Sequence, residues 1–238
     1  MTEMFLHLVQ YDTDPKKEDA FNLWYYKHVY NVLKVPGYAW CCRLVSLGGQ
    51  TLGTDIRHLT LYRVNDIKAF DSVIGKDIST LPSPFREDME EYAQITEATY
   101  VRSGVYQQIG GSHLNKQLLT NNHPLMLVMA DVPAEHEDEW NRWNDKHVAN
   151  IVNDRWIVAA GRFRTIDGIV PPYLVQAPRY LTIYELSGEE AATAMYDPKQ
   201  MSPELRAEHE SKERQRFVGM MKNRFRYFYR HISRHWVI

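Results

Sequence analysis

Hydrophobic residues along the chain form short runs that recur in the same order in two halves. The runs MFLHLVQYD (4–12) and LMLVMADV (125–132) are rich in β-branched and aromatic residues, so each predicts a first strand. Acidic residues then mark the first turn of a helix, at Glu18 and Asp19 in one half and at 137–139 in the other. Two further apolar runs, a second helical region and a last strand complete the order βαββαβ in each half.

The two halves also match residue by residue. Trp24, His28, Asn31 and Arg43 recur 119 positions later as Trp143, His147, Asn150 and Arg162. Further along, Tyr62 and Arg102 match Tyr184 and Arg224 at an offset of 122. A collinear match of this length indicates a duplicated unit of about 110 residues, which is large enough to build its own core.

These patterns predict an α+β protein made of two tandem ferredoxin-like βαββαβ units. The first unit spans residues 1–110, a linker spans 111–123, and the second unit spans 124–238. Each unit would cover one face of its sheet with helices and leave the other face bare. We therefore expect the two bare faces to pack sheet to sheet within the chain.

Composition narrows the classes of function. A formal net charge of −2 does not favour a nucleic-acid partner, and the Arg-rich segment NRFRYFYRHISRH (223–235) alternates in the manner of a half-exposed strand. The sequence has no apolar run of the ~18–20 residues that a membrane span needs, nor the pattern of a signal peptide. The only cysteines, Cys41 and Cys42, are adjacent and should point to opposite faces of a strand. We therefore expect a cytoplasmic protein without a membrane partner.

The segment LWYYKHVYNVLKVPGY (23–38) suggests a family. A Trp-Tyr pair before a helical His, followed by Val-Pro-Gly, resembles the EthD-like branch of the dimeric α/β-barrel superfamily, here as a tandem chain forming an intramolecular barrel. The second half keeps Trp143 and His147 but has Asn144 in place of Tyr25, so the first half looks like the more intact site. The superfamily includes monooxygenases, isomerases, cyclases, lyases and haem proteins, so the resemblance implies a small-molecule site and not one reaction.

Candidate site residues are taken from the leading helix of each half and from the strands that would lie beneath it. His28 is the expected proton carrier, because an imidazole titrates near neutral pH, and Tyr25, Arg43 and Tyr62 would position the substrate or stabilise its anion. The expected substrate-binding residues are Trp24, His7, His58, Tyr26 and Arg102. The second half would carry an equivalent or vestigial site formed by His147, Trp143, Arg162 and Tyr184.

Structural roles explain the same residues without catalysis. Each histidine could be a hydrogen-bonded core residue, and each duplicated arginine could pair with Asp12, Asp131 or a helix acid. Most of the 15 tyrosines could serve packing.

The preferred function is a cofactor-independent acid–base lyase or isomerase for a small aromatic or conjugated molecule. The alternatives are a cofactor-independent monooxygenase and a non-catalytic binding protein. No metal or other cofactor is expected, with haem or a metal ion as minority alternatives, and the fused pair still allows a homodimer.

Overall fold

The computed structural model describes residues 4–48, 52–72, 79, 83, 85–95, 100–110, 118–169 and 175–236. The first half contains β1 (Phe5–Tyr11), α1 (Glu18–Leu33), β2 (Tyr38–Ser46), β3 (His58–Val64), α2 (Phe85–Ile95) and β4 (Tyr100–Ile109). The second half contains β5 (Leu125–Asp131), α3 (Glu137–Ile151), β6 (Ile157–Thr165), β7 (Val175–Gln176), β8 (Tyr180–Leu186), α4 (Ala191–Ala194), α5 (Pro203–Glu210), α6 (Lys212–Met220) and β9 (Lys222–Trp236). The predicted order of elements is therefore observed in each half, with β7 and extra helices added to the second.

The strands form one closed antiparallel barrel. Hydrogen bonding runs in the order β1-β3-β2-β9-β5-β8-β6-β4, and β4 pairs back onto β1. The two-residue strand β7 adds to β4 in parallel. The halves are joined where β2 pairs with β9, from Trp40 opposite Trp236 onwards, and where β4 pairs with β6.

The prediction of two ferredoxin-like units packed sheet to sheet is therefore wrong. Strands of the two halves share backbone hydrogen bonds along both junctions, so the chain has one sheet and not two. The prediction considered only the bare face of each sheet. Unpaired strand edges also require partners, and closing the sheet satisfies the edges while burying the same apolar face inside the barrel.

Apolar side chains from both halves fill the barrel interior. They include Leu6, Leu8, Leu44, Leu61, Leu125, Leu127, Phe163 and Ile183. The buried residues Leu118 and Leu119, which precede β5, belong to the same cluster. Cys41 and Cys42 are both buried and free, and they belong to different clusters, as the alternation along a strand predicts.

Helices cover the outer face of the barrel. The side chains of α1 pack with β1 and β3 in one cluster, and those of α3 and α5 pack with β5 and β8 in another. The helix α1 ends before Gly37, whose φ of +101° favours glycine and whose Cβ position lies 2.7 Å from the Cβ of Ala69. In the described part of the chain, no helix is both long and apolar enough to span a membrane.

Candidate functional site

The two leading helices present the same pair of rings to the barrel wall. His28 stacks on Trp24 with a centroid distance of 4.7 Å, and His147 stacks on Trp143 at the same distance. Both imidazoles are largely buried, with 12% and 11% of the side chain exposed. The face of each leading helix that carries Trp and His therefore lies against the sheet in both halves.

Each histidine also has a carboxylate partner that the sequence did not reveal. Nδ1 of His28 lies 3.6 Å from Oδ2 of Asp88, which accepts a hydrogen bond from Asn31. Nδ1 of His147 lies 2.6 Å from Oε1 of Glu208, whose other oxygen accepts a hydrogen bond from Asn150.

The two acids are 120 positions apart, close to the repeat offset, and that spacing was the available signal. Asp88 lies on α2 and Glu208 on α5, and each of these helices carries several acidic residues. Only the contact with the histidine distinguishes the two acids from their neighbours.

In the first half, tyrosine rings occupy the space beneath α1. Tyr11 and Tyr25 stack with a centroid distance of 4.9 Å, and Tyr62 is almost wholly buried beside them. Burial raises the pKa of Tyr25 and of Tyr62 well above the usual range, so both phenols are neutral at physiological pH. The residues predicted around His28 are thus brought together as a packed aromatic cluster.

The two strand histidines of the first half are also buried and uncharged. His7 lies between Ser103 and the Tyr38 hydroxyl, and burial together with His28 lowers its pKa to about 3. His58 stacks on Tyr11, and burial together with nearby arginines lowers its pKa to about 4. Neither imidazole carries charge at neutral pH.

The duplicated arginines tie strands to helices. Arg43 donates to the Asn22 side chain at 2.7 Å and lies over the Tyr25 ring. Arg162 donates to the equivalent Asn141 and forms an ion pair with Asp145 on α3. The helix-acid pairing expected for these arginines is observed for Arg162.

Asp12 and Asp131, the other acids considered for the arginines, instead accept backbone N–H groups, those of Arg57 and Arg179.

Two predicted substrate-binding residues lie elsewhere. Tyr26 is about half exposed on the outside of α1 and bonds to Tyr30. Arg102 bonds to the Tyr227 hydroxyl at 2.7 Å and lies over the Phe225 ring, within the barrel. The register also contradicts the match of Arg102 with Arg224, because the position equivalent to Arg102 is Phe225. A slip of one residue exchanges the faces of a strand.

In the second half, a cavity lies where the first half has stacked rings. Sequence and strand register place Ala130 at the position of Tyr11 and Asn144 at that of Tyr25, and both line the cavity. Its volume is about 90 Å³ when measured for the centre of a water-sized sphere. A roughly spherical space of that size is about 8 Å across at its walls, which suits a single aromatic ring.

The lining of this second-half cavity combines aromatic and cationic groups. Trp140, Trp143, His147, Tyr180, Tyr184, Tyr196, His209, Arg214, Arg224 and Arg226 all contribute to it. Burial raises the pKa of Tyr184 and of Tyr196, so both remain neutral. Three residues of the predicted second-half site line the cavity, namely His147, Trp143 and Tyr184. The fourth, Arg162, instead bonds to side chains of α3.

The closed antiparallel barrel with helices on its outer face is a fold that the chain shares with several solved structures. An anthrone oxidase-like protein has a TM-score of 0.65 at 9% identity over 100% of this chain and 94% of that chain. A candidate monooxygenase from Fusobacterium nucleatum has a TM-score of 0.55 at 11% identity, covering 98% and 94%. A variant of the chlorite dismutase from Candidatus Nitrospira defluvii has a TM-score of 0.52 at 10% identity, covering 97% and 91%.

Identities this low show a shared fold and nothing finer. No family model matches the chain. No curated protein sequence matches it either.

The expectation that the protein uses no cofactor is contradicted, because chlorite dismutases, which bind haem, share the fold. The residues of the second-half cavity do not fit haem, however. The His147–Glu208 contact has the form that metal-bound histidines use. Yet a cavity of about 90 Å³ falls well short of the roughly 300–1,000 Å³ that even drug-sized ligands occupy. Across the ranges that the structure describes, no three His, Cys, Asp or Glu residues are grouped to hold a metal ion.

Proposed function

We propose that the protein is an oxidoreductase of the monooxygenase type that oxidises a small aromatic molecule in the second-half cavity. The observation that carries this proposal is the cavity itself, which has a carboxylate-bound imidazole in its wall. The first half has the same imidazole but two stacked tyrosines in place of the space. We therefore assign the working site to His147, and not to the first-half set of His28, Tyr25, Arg43 and Tyr62.

The contact with Glu208 prepares His147 for proton transfer. A carboxylate that accepts the Nδ1 proton fixes the tautomer and leaves Nε2 as the ring nitrogen available to a ligand. A neutral imidazole held in this way can remove a proton from an activated C–H or O–H group. The neighbouring arginines would stabilise the resulting carbanion or phenolate.

The names of structural neighbours favour oxidation as the following step. Two are candidate monooxygenases and one is anthrone oxidase-like, whereas none of the three is named as a lyase or isomerase. In an oxidation of this class, a CH₂ group and O₂ give a C=O group and water, so the substrate itself supplies the electrons. The lyase or isomerase preferred from sequence has no support among these neighbours.

We also propose that the chain arose by duplication of a single unit. The collinear matches, together with the same register of β1 on β3 and of β5 on β8, support duplication of a single unit. The Trp-Tyr-x-x-His and Val-Pro-Gly segments support an EthD-like ancestor.

Phenylacetaldehyde provides a test, because it has a single aromatic ring, which suits the size of the cavity, and its aldehyde makes the adjacent CH₂ group acidic. Wild-type protein should consume oxygen and form phenylglyoxal and water, with one atom of ¹⁸O₂ in the new ketone. His147→Gln should lower the rate at least 100-fold, since a general base contributes roughly 10²–10⁴-fold. His28→Gln is the matched control and should leave the rate unchanged.

Other results would point to the alternatives. Loss of activity in His28→Gln alone would move the site to the first half. Product formed without oxygen would favour an isomerase or lyase. Saturable quenching of tryptophan fluorescence without any product would leave a binding protein.

A further inference from the structure

The second-half cavity holds an excess of positive charge. Arg214, Arg224 and Arg226 all line it. Glu208 is the nearby carboxylate, and it is already engaged by His147 and Asn150. No carboxylate in the described ranges lies within ion-pair distance of Arg214 or Arg224.

The pKa values of neighbouring groups reflect this positive charge. Burial, together with Arg214, His147 and Arg226, lowers the pKa of His209 to about 4, although Glu208 acts in the opposite direction. The pKa of Arg224 is lowered by burial and by Arg226 and Arg214. Nε of Arg214 is buried and has no hydrogen-bond partner among the described residues. Partly buried guanidinium groups of this kind are stabilised when an anion enters.

The first half lacks this feature at the equivalent place. The residue opposite Val9 on β4 is Ser103, whereas the residue opposite the equivalent Val128 on β9 is Arg226. Ser103 bonds to His7, and the position of His7 is taken by Met126 in the second half. The arginine at the position of Arg226 is therefore a feature of the second half and not of both halves of the fold.

We propose that the cavity selects aromatic carboxylates, with the carboxylate bound by Arg214, Arg224 and Arg226. The inference rests on the proposed function in using the same cavity, and it names the substrate class. A planar guanidinium matches a carboxylate with two parallel hydrogen bonds, which makes arginine the suitable residue. The single-ring width of the cavity sets the size of the attached group.

Benzoate and benzamide form the decisive pair of probes, because they share shape but not charge. Binding is read from the quenching of Trp140 and Trp143, which line the cavity, and is checked by calorimetry. We expect benzoate to bind at least tenfold more tightly than benzamide. We also expect its affinity to fall as salt is raised.

Arg224→Gln and Arg214→Gln should each weaken benzoate binding at least tenfold and leave benzamide binding unchanged. Arg230→Gln is the matched control, since Arg230 is exposed on the same strand and carries the same charge. Melting temperatures of all variants identify any that fail to fold. Arg214→Lys retains the charge and should keep part of the affinity.

The two proposals fail separately. Equal binding of benzoate and benzamide, or equal losses in Arg230→Gln, would overturn the carboxylate proposal even if phenylacetaldehyde is oxidised. Benzoate bound through Arg224 with no oxidation of phenylacetaldehyde or of phenylpyruvate, which has both an acidic CH₂ group and a carboxylate, would overturn the oxidation and leave the carboxylate site standing.

Discussion

At the scale of single residues, two differences leave open beneath α3 the space that rings fill beneath α1. Tyr11 and Tyr25 stack beneath α1, while Ala130 and Asn144 leave the space beneath α3 open. The histidines, tryptophans and asparagines that the sequence repeats are the same in both halves. The difference therefore comes from the residues that do not match.

Restoring one ring should close the cavity. We expect Asn144→Tyr to abolish benzoate quenching and phenylacetaldehyde oxidation, because the new ring would take the place that Tyr25 occupies in the first half. Circular dichroism should remain that of the wild type.

Tyr25→Asn is the reverse change and the control. It should cost about 2–4 kcal/mol of unfolding free energy through the cavity it leaves, without affecting benzoate binding. Unaltered binding in Asn144→Tyr would place the ligand elsewhere.

At the scale of elements, the segment before β5 is held to the barrel by a buried acid. Glu185 on β8 is almost wholly buried and accepts a hydrogen bond from the backbone N–H of Leu119. Burial raises the pKa of this carboxyl from 4.5 to about 7, although Leu119 and Arg234 act in the opposite direction. The folded protein therefore binds a proton here that the unfolded chain has already released at pH 5–7.

The pH dependence of stability follows from this difference. Stability should be highest near pH 5 and decline as pH rises towards 7–8, because the folded state alone retains the proton in that range. Glu185→Gln should remove this decline and raise stability at pH 8 by about 1–2 kcal/mol. Glu189→Gln, at an exposed position, should retain the wild-type slope. Denaturant unfolding at several pH values measures the stability of both variants. If Glu185→Gln lost stability with rising pH as the wild type does, Glu185 would not be the group responsible.

At the scale of the whole molecule, closure of the barrel couples the two halves. The junctions β2–β9 and β4–β6 leave each half without two of its strand partners when the other is removed. The interior cluster also takes residues from both halves, so neither half holds a complete core.

Unfolding of the full chain should therefore be a single transition. We expect near-ultraviolet circular dichroism and tryptophan fluorescence to give the same midpoint in urea. Fragments 1–110 and 124–238 produced separately should show no cooperative transition and should aggregate through their exposed edges. Two separate midpoints, or one fragment that folds alone, would show independent domains.

The sequence alone determined the duplicated order of elements, the two leading helices that carry Trp and His on one face, and the alternation of side chains between the two faces of each strand. These follow from local periodicity and capping, which act over a few residues. Helix acids such as Asp88 and Glu208 stayed hidden because many similar residues surround them and only a contact over 57 or more positions selects one.

Tertiary structure decided the closure of the sheet and the formation of the cavity beneath α3. The closure depends on edge pairing between strands far apart in the chain, such as Trp40 with Trp236, which no local pattern encodes. The cavity depends on side-chain volumes contributed by β5, α3 and β8 together. Ala130 and Asn144 therefore decide the size of the cavity more than His147 does.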